Sequence, residues 1–254
     1  MYNHTALQLQ GNKVSIRQHL IYWILPLTVN LLFIGMYFFG TPAMESFVSP
    51  QLHHEYGALE MISLLILIAA GIVAIKSLDR NDSWLLQTAR LSCIAFAAFV
   101  FLEEQDYGMN YIDFFNHEAG RVPDSPRTFH NSSYYAPILK TTLYSGVVLL
   151  CGILPFFVKY LPKQIAEIIP SKMMVTTIIC LFIIPQIAFN LNYQFHFTGN
   201  KSLDNNISEF DESVLYYLFF VYTLELNPVF KSYFKARMKV IVDESSPGVL
   251  TKAK

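Results

Sequence analysis

Charge is scarce in this chain: Asp, Glu, Lys and Arg make up only 15% of its 254 residues, against roughly a quarter of an ordinary soluble domain. The net charge of −1 excludes the bulk basic field that nucleic-acid binding needs. There are three cysteines, Cys93, Cys151 and Cys180, with neither CxxC nor Cys/His zinc spacing. Each lies inside an apolar run, where a thiol behaves as a small inert hydrophobe. HExxH, Glu-x-x-His, a histidine-box set, Walker A and Gly-x-Ser-x-Gly are all missing, so no local motif names a reaction.

Apolar sequence is what the chain has in quantity, at 53% of residues. About 20 apolar residues are enough for a helix to cross the hydrocarbon of a bilayer. Six stretches reach that length: 20–40, 57–76, 84–109, 137–158, 173–192 and 208–227. The expected fold is therefore all-α, an integral membrane bundle of six transmembrane helices. Residues 1–19 form a short polar N-terminal segment, 20–229 the bundle, and 230–254 a basic tail. The first run is too long for a signal-peptide core and no small-x-small site follows it, so it reads as a retained span. Pro26, Pro155 and Pro185 fall inside spans and predict kinks whose freed carbonyls neighbouring helices satisfy.

Orientation follows from the basic residues, which concentrate on the cytoplasmic side. All but four of the 18 Lys and Arg lie in the N-terminal segment, the second and fourth loops or the tail. The exceptions are Arg121, Arg127, Lys140 and Lys201. Both termini are thus expected in the cytoplasm, with loop 103–134 on the opposite face.

Spans three and six are short of uncharged residues. The uncharged runs are only 91–102 and 213–224, so full crossings must recruit Glu103, Glu104 and Tyr107 in one helix and Glu209 and Glu212 in the other. Arg90 closes the inner end of span three and is expected to snorkel inward. A carboxylate at the bilayer centre costs about 2.5–3.5 kcal/mol, so such groups usually face the bundle interior, a partner or water. Glu209 and Glu212 share a helix face with Tyr216 one turn deeper. Gln186, Asn190 and Gln194 form one stripe on span five, with His196 beyond. Span two carries Glu60 near its start, and span four begins with Lys140. These helices thus bring polar groups to the outer leaflet, and the inner leaflet is expected to lack a matching set. Two alternatives stay open: the glutamates mark helix ends at the headgroups, and the amides are interhelical hydrogen bonds.

Loop 103–134 is dense in Asp, Glu, His, Asn and Arg. Its Glu103-Glu104, with Gly108, and its His130-Asn131, with Ser133, resemble a motif pair in a group of uncharacterised bacterial multi-pass proteins. That group has Glu-Glu-x-x-Trp-Gly-Gln at the end of one span and Leu-His-Asn-Thr-Ser before the next. Here Tyr107 stands at the tryptophan, Met109 at the glutamine, Phe129 at the leucine and Ser132 at the threonine. The resemblance covers about 30 residues and implies that the Glu-Glu and His-Asn pairs act together. Glu103-Glu104 and His196-x-x-x-Asn200 are also similar to elements of CAAX-type intramembrane proteases. That likeness stops where Gly108 replaces the arginine and no Phe-x-x-x-His occurs.

Three functions fit. The first is a hydrolase or transferase acting at the outer face on a lipid or lipid-linked substrate. Its catalytic set is Glu103, Glu104, His130, Asn131, Glu209 and Glu212, and substrate is held by Arg121, Arg127, Tyr107, Asn190 and Gln194. Glu104, His117, His130 and Glu212 could also bind a divalent metal that activates water. The second is a non-catalytic subunit or assembly factor that docks a membrane-protein partner. The third is an ion- or proton-coupled transporter. Membrane lipid is the expected surrounding in every case, nucleic acid is not a partner, and the compact loops suit a bacterial cytoplasmic membrane.

Overall fold

A computed structural model gives the fold, and the structure describes residues 16–48, 57–109, 112, 115, 116, 129, 134–195 and 207–230. Those residues form helices and turns, with no strand among them. In chain order the helices are α1 (Ile16–Phe39), α2 (Pro42–Val48), α3 (Ala58–Lys76), α4 (Trp84–Glu104), α5 (Tyr135–Tyr160), the single turn α6 (Lys163–Ala166), α7 (Met174–Phe195) and α8 (Ile207–Leu226). Five of them, α1, α3, α4, α5 and α7, are long and apolar enough to cross a membrane. Their outward faces agree: Leu65, Ile68 and Ile72 on α3, Leu91 and Phe99 on α4, and Ile179 and Phe182 on α7 are all exposed. Water would not tolerate so much continuous apolar surface; lipid does. The chain is an all-helical integral membrane protein.

Helix α8 differs in kind. It has 20 residues, enough to span, yet carries Glu209, Asp211, Glu212 and Glu225. From Glu209 to Asn227 not one residue is exposed. It packs most extensively on α3 and α7 and also touches α1 and α4, so it forms the axis of the bundle. A helix buried all round meets protein rather than lipid, and its charges are answered by neighbouring side chains. Small residues bring the other helices close: a Cβ placed on Gly71 of α3 would stand 3.6 Å from the Cβ of Ala97 on α4.

The helix boundaries depart from expectation at two places. Helix α1 is already formed at Ile16, inside the segment assigned to the polar N-terminus. Span three was expected to run through Tyr107, but α4 ends at Glu104. Asp106, Tyr107 and Gly108 follow with φ of 46°, 53° and 84°, a left-handed run that no right-handed helix can continue.

Proline explains how α1 is fastened. Between Leu20 and Ile24 the helix widens, and the N–H of Leu25 reaches back five residues to the Leu20 carbonyl. That leaves the Ile21 carbonyl without its usual donor. Pro26 has no N–H, so the Tyr22 carbonyl loses its donor too. The Tyr217 hydroxyl of α8 donates to Ile21 at 2.6 Å, and the Thr177 hydroxyl of α7 donates to Tyr22 at 2.5 Å. The defect in one helix is thereby the joint between three.

Candidate functional site

At the end of the bundle where α4 finishes, four helices contribute polar groups. Glu60 comes from the first turn of α3, Glu104 from the last of α4, and Glu209, Asp211 and Glu212 from the start of α8. Lys140 and Tyr144 come from α5. The Tyr216 hydroxyl, buried one turn inside α8, donates to Glu104 Oε1 at 2.5 Å. Lys140 Nζ lies 3.4 Å from Glu212 Oε1, and the Tyr144 hydroxyl donates to the Asp211 carboxylate. Glu60 lies in the field of Glu209, Glu104, Glu212 and Asp106, and Glu104 in that of Glu209, Glu103 and Lys140. Among the described residues Glu60 has no hydrogen bond. Among the described residues, four glutamates therefore share one region with a single lysine.

The two adjacent glutamates of α4 do different work. Glu103 is 4% exposed and turns away from Glu104, as a step of about 100° per residue requires. It accepts from the Tyr107 hydroxyl and from the Phe129 backbone N–H, the latter at 2.8 Å. Its carboxylate thus ties two separate points of the following segment to the end of α4. Tyr107 itself is 44% exposed; its bond to the Glu103 carboxylate pushes the phenol above its ordinary pKa. Glu104 faces α8, where it meets the Tyr216 hydroxyl.

Asn190, expected to bind substrate here, stands elsewhere. It and Gln186 are exposed on the outward face of α7, where Gln186 Nε2 donates to Asn190 Oδ1 at 3.0 Å. His117, Arg121, Arg127, His130 and Asn131 lie outside the described residues, as does the side chain of Gln194. Glu104, Glu209 and Glu212 are brought together; Glu103 joins them through its field alone. Asp211, Tyr144 and Tyr216 complete the region without having been assigned roles. Asp211, between Glu209 and Glu212 in sequence, meets Tyr144 of α5, the helix whose Lys140 pairs with Glu212. Among the described residues no three of His, Cys, Asp or Glu are grouped as metal ligands, so a metal at Glu104 and Glu212 would need donors from elsewhere in the chain.

The opposite end was expected to lack a polar set, and it has a dense one. Glu225, 7% exposed, accepts from the Tyr22 hydroxyl, the Ser171 N–H at 2.6 Å and the Ser171 hydroxyl at 2.7 Å. Arg90 does not snorkel out; it is 1% exposed. Its Nε and Nη2 donate to the Leu226 carbonyl at 3.2 and 2.9 Å, and its Nη1 pairs with Asp82. A cation on the last carbonyls of α8 satisfies orphan acceptors and complements the negative end of the helix dipole. Tyr222 donates to the Ile168 carbonyl at 3.0 Å, and Ser83 to Glu167 at 3.3 Å.

Midway, Asn30 links α1 to α8, accepting from Ser213 at 2.8 Å and donating to the Pro26 carbonyl at 2.9 Å. Cys93, Cys151 and Cys180 are free thiols buried among apolar neighbours, as expected. Comparison with family models, with curated proteins and with solved structures finds no match.

Proposed function

We propose that α8 is a sixth span, that both termini are cytoplasmic, and that the Glu60–Glu104–Glu212 region is an acid–base site at the extracytoplasmic face of a bacterial cytoplasmic membrane. The substrate is a lipid or lipid-linked molecule, and the reaction a hydrolysis or group transfer. Glu104, hydrogen-bonded by Tyr216, is the proton-transferring group; Glu209 and Glu212 set the field around it, and Lys140 offers an anchor for an anionic headgroup. His130 and Asn131 are the partners that the motif resemblance adds, with Arg121 and Arg127 on a phosphate. A divalent ion held by Glu104, Glu212, His117 and His130 is the variant of this reading in which a metal activates water.

One observation carries the proposal. Glutamates from three helices converge at one end of the bundle, with Lys140 of α5 beside Glu212, and acids that lie in one another's field suit proton transfer or cation binding. Buried all round, α8 can span despite four carboxylates. The test is genetic and chemical together. Lipids of cells lacking the protein are compared with those of cells carrying wild type, Glu104→Gln or Glu104→Gln with Glu212→Gln. An accumulated lipid that wild type clears and both variants leave in place is the expected result. Full clearance by the double variant overturns the reading.

A further inference from the structure

Two carboxamides face outward from a membrane-spanning helix. Gln186 and Asn190 lie on the exposed stripe of α7 together with Ile179, Phe182, Ile183 and Phe189. This spacing of three and four puts all six on one face. With a rise of about 1.5 Å per residue, Gln186 sits roughly 18 Å from the start of α7, past the middle of a hydrocarbon core about 30 Å thick. Because Gln186 reaches forward one turn to Asn190, the two amide groups lie side by side at one depth.

Their single mutual bond leaves an acceptor at Gln186 Oε1 and a donor at Asn190 Nδ2. No described residue of the chain meets either one, and lipid tails offer no hydrogen bonds. Reversing both amides exchanges their roles and leaves one donor and one acceptor all the same.

We propose that this stripe of α7 is the interface for a second copy of the chain, packed about a two-fold axis normal to the membrane. Two-fold symmetry sets the same amide pair opposite itself at the same depth. Asn190 Nδ2 of each copy then donates to Gln186 Oε1 of the other, closing a ring of four amides. One donor and one acceptor at equal depth make a self-complementary pattern, which a copy of the chain matches by symmetry alone. Ile179, Phe182 and Ile183 supply the packing around the ring. The catalytic reading is independent of this inference, since the stripe lies on α7 and the carboxylates on α3, α4 and α8.

Cysteine cross-linking in native membranes tests it. Ile183→Cys is expected to give a covalent homodimer on oxidation, while Leu65→Cys, on the exposed face of α3, gives none. In lipid vesicles Gln186→Leu with Asn190→Leu should raise the dimer dissociation constant about tenfold or more. Both amides lie outside the packed interior, so the double variant should keep its helical content. If it does not, the Ile183→Cys arm still reports on the wild-type amides. A wild-type chain that stays monomeric at every protein-to-lipid ratio overturns the proposal. So does a double-leucine variant that dimerises as tightly as wild type, or an Ile183→Cys chain that captures a different protein instead of itself.

Discussion

The two ends of α8 pose the same problem, carboxylates inside a membrane bundle, and solve it in opposite ways. At the Glu225 end the acid is surrounded by neutral donors from Tyr22 and Ser171, and the nearby cation Arg90 closes on the helix terminus and Asp82. At the Glu104 end like charges gather around one lysine, and Glu60 has no hydrogen bond among the described residues. At the first end each charge meets neutral donors or a counter-ion; at the second the acids, though several are partnered, also lie in one another's field, which suits proton exchange or ligand capture. We read the first end as a clasp and the second as the place of the proposed chemistry.

The difference can be broken most forcefully at Arg90. Arg90→Met should cost about 3 kcal/mol or more, because it strips both donors from the Leu226 carbonyl and leaves Asp82 without its cation. Unfolding followed by helical signal in detergent micelles measures it; an unchanged midpoint would remove the clasp from the account. Next in size is a matched pair of isosteric changes. Glu225→Gln should lose about 1.5–3 kcal/mol, since a charged acceptor is replaced by a neutral one. Glu104→Gln should leave stability unchanged or raise it, because it relieves repulsion among the glutamates. Equal losses at the two ends would mean that the contrast is not functional.

Thr177→Val sharpens the point further, because its effect should depend on a proline. In the wild-type chain the change leaves the Tyr22 carbonyl without a donor and should cost about 1–2 kcal/mol. In a Pro26→Ala background residue 26 regains an N–H able to reach Tyr22, so the same change should cost less. The difference between the two losses, read as a double-mutant cycle, is the coupling. Simple additivity would show that the hydroxyl is not replacing the missing amide.

The apolar runs made the helices legible in the sequence, because a bilayer fixes both length and composition. The meeting of Glu104 with Tyr216 and Glu212 with Lys140 was foreshadowed by spans too short to cross without their acids. Arg90 was misread and Glu225 was given no role for a single reason. Judged from its own span, each charge sits at a helix end where headgroups or water would receive it. Their real partners, Leu226 and Tyr22, lie 136 and 203 residues away, a pairing that periodicity along one helix cannot reveal. Asn190 lies apart from that end for another reason: one helix's polar stripe gives a direction only once its neighbours are known, and Asn190 is on the exposed face of α7.

The smallest effect separates the two glutamates that share the end of α4. Glu103→Leu should release the Phe129 N–H, which then exchanges its hydrogen faster. Glu104→Leu should leave that amide as slow as in wild type, because Glu104 bonds Tyr216 and does not reach residue 129. Hydrogen exchange resolved at Phe129 in the full-length protein gives the answer directly. Acceleration by both substitutions would mean that the pair acts as one unit. Assigning chemistry to Glu104 and tethering to Glu103 would then have no basis.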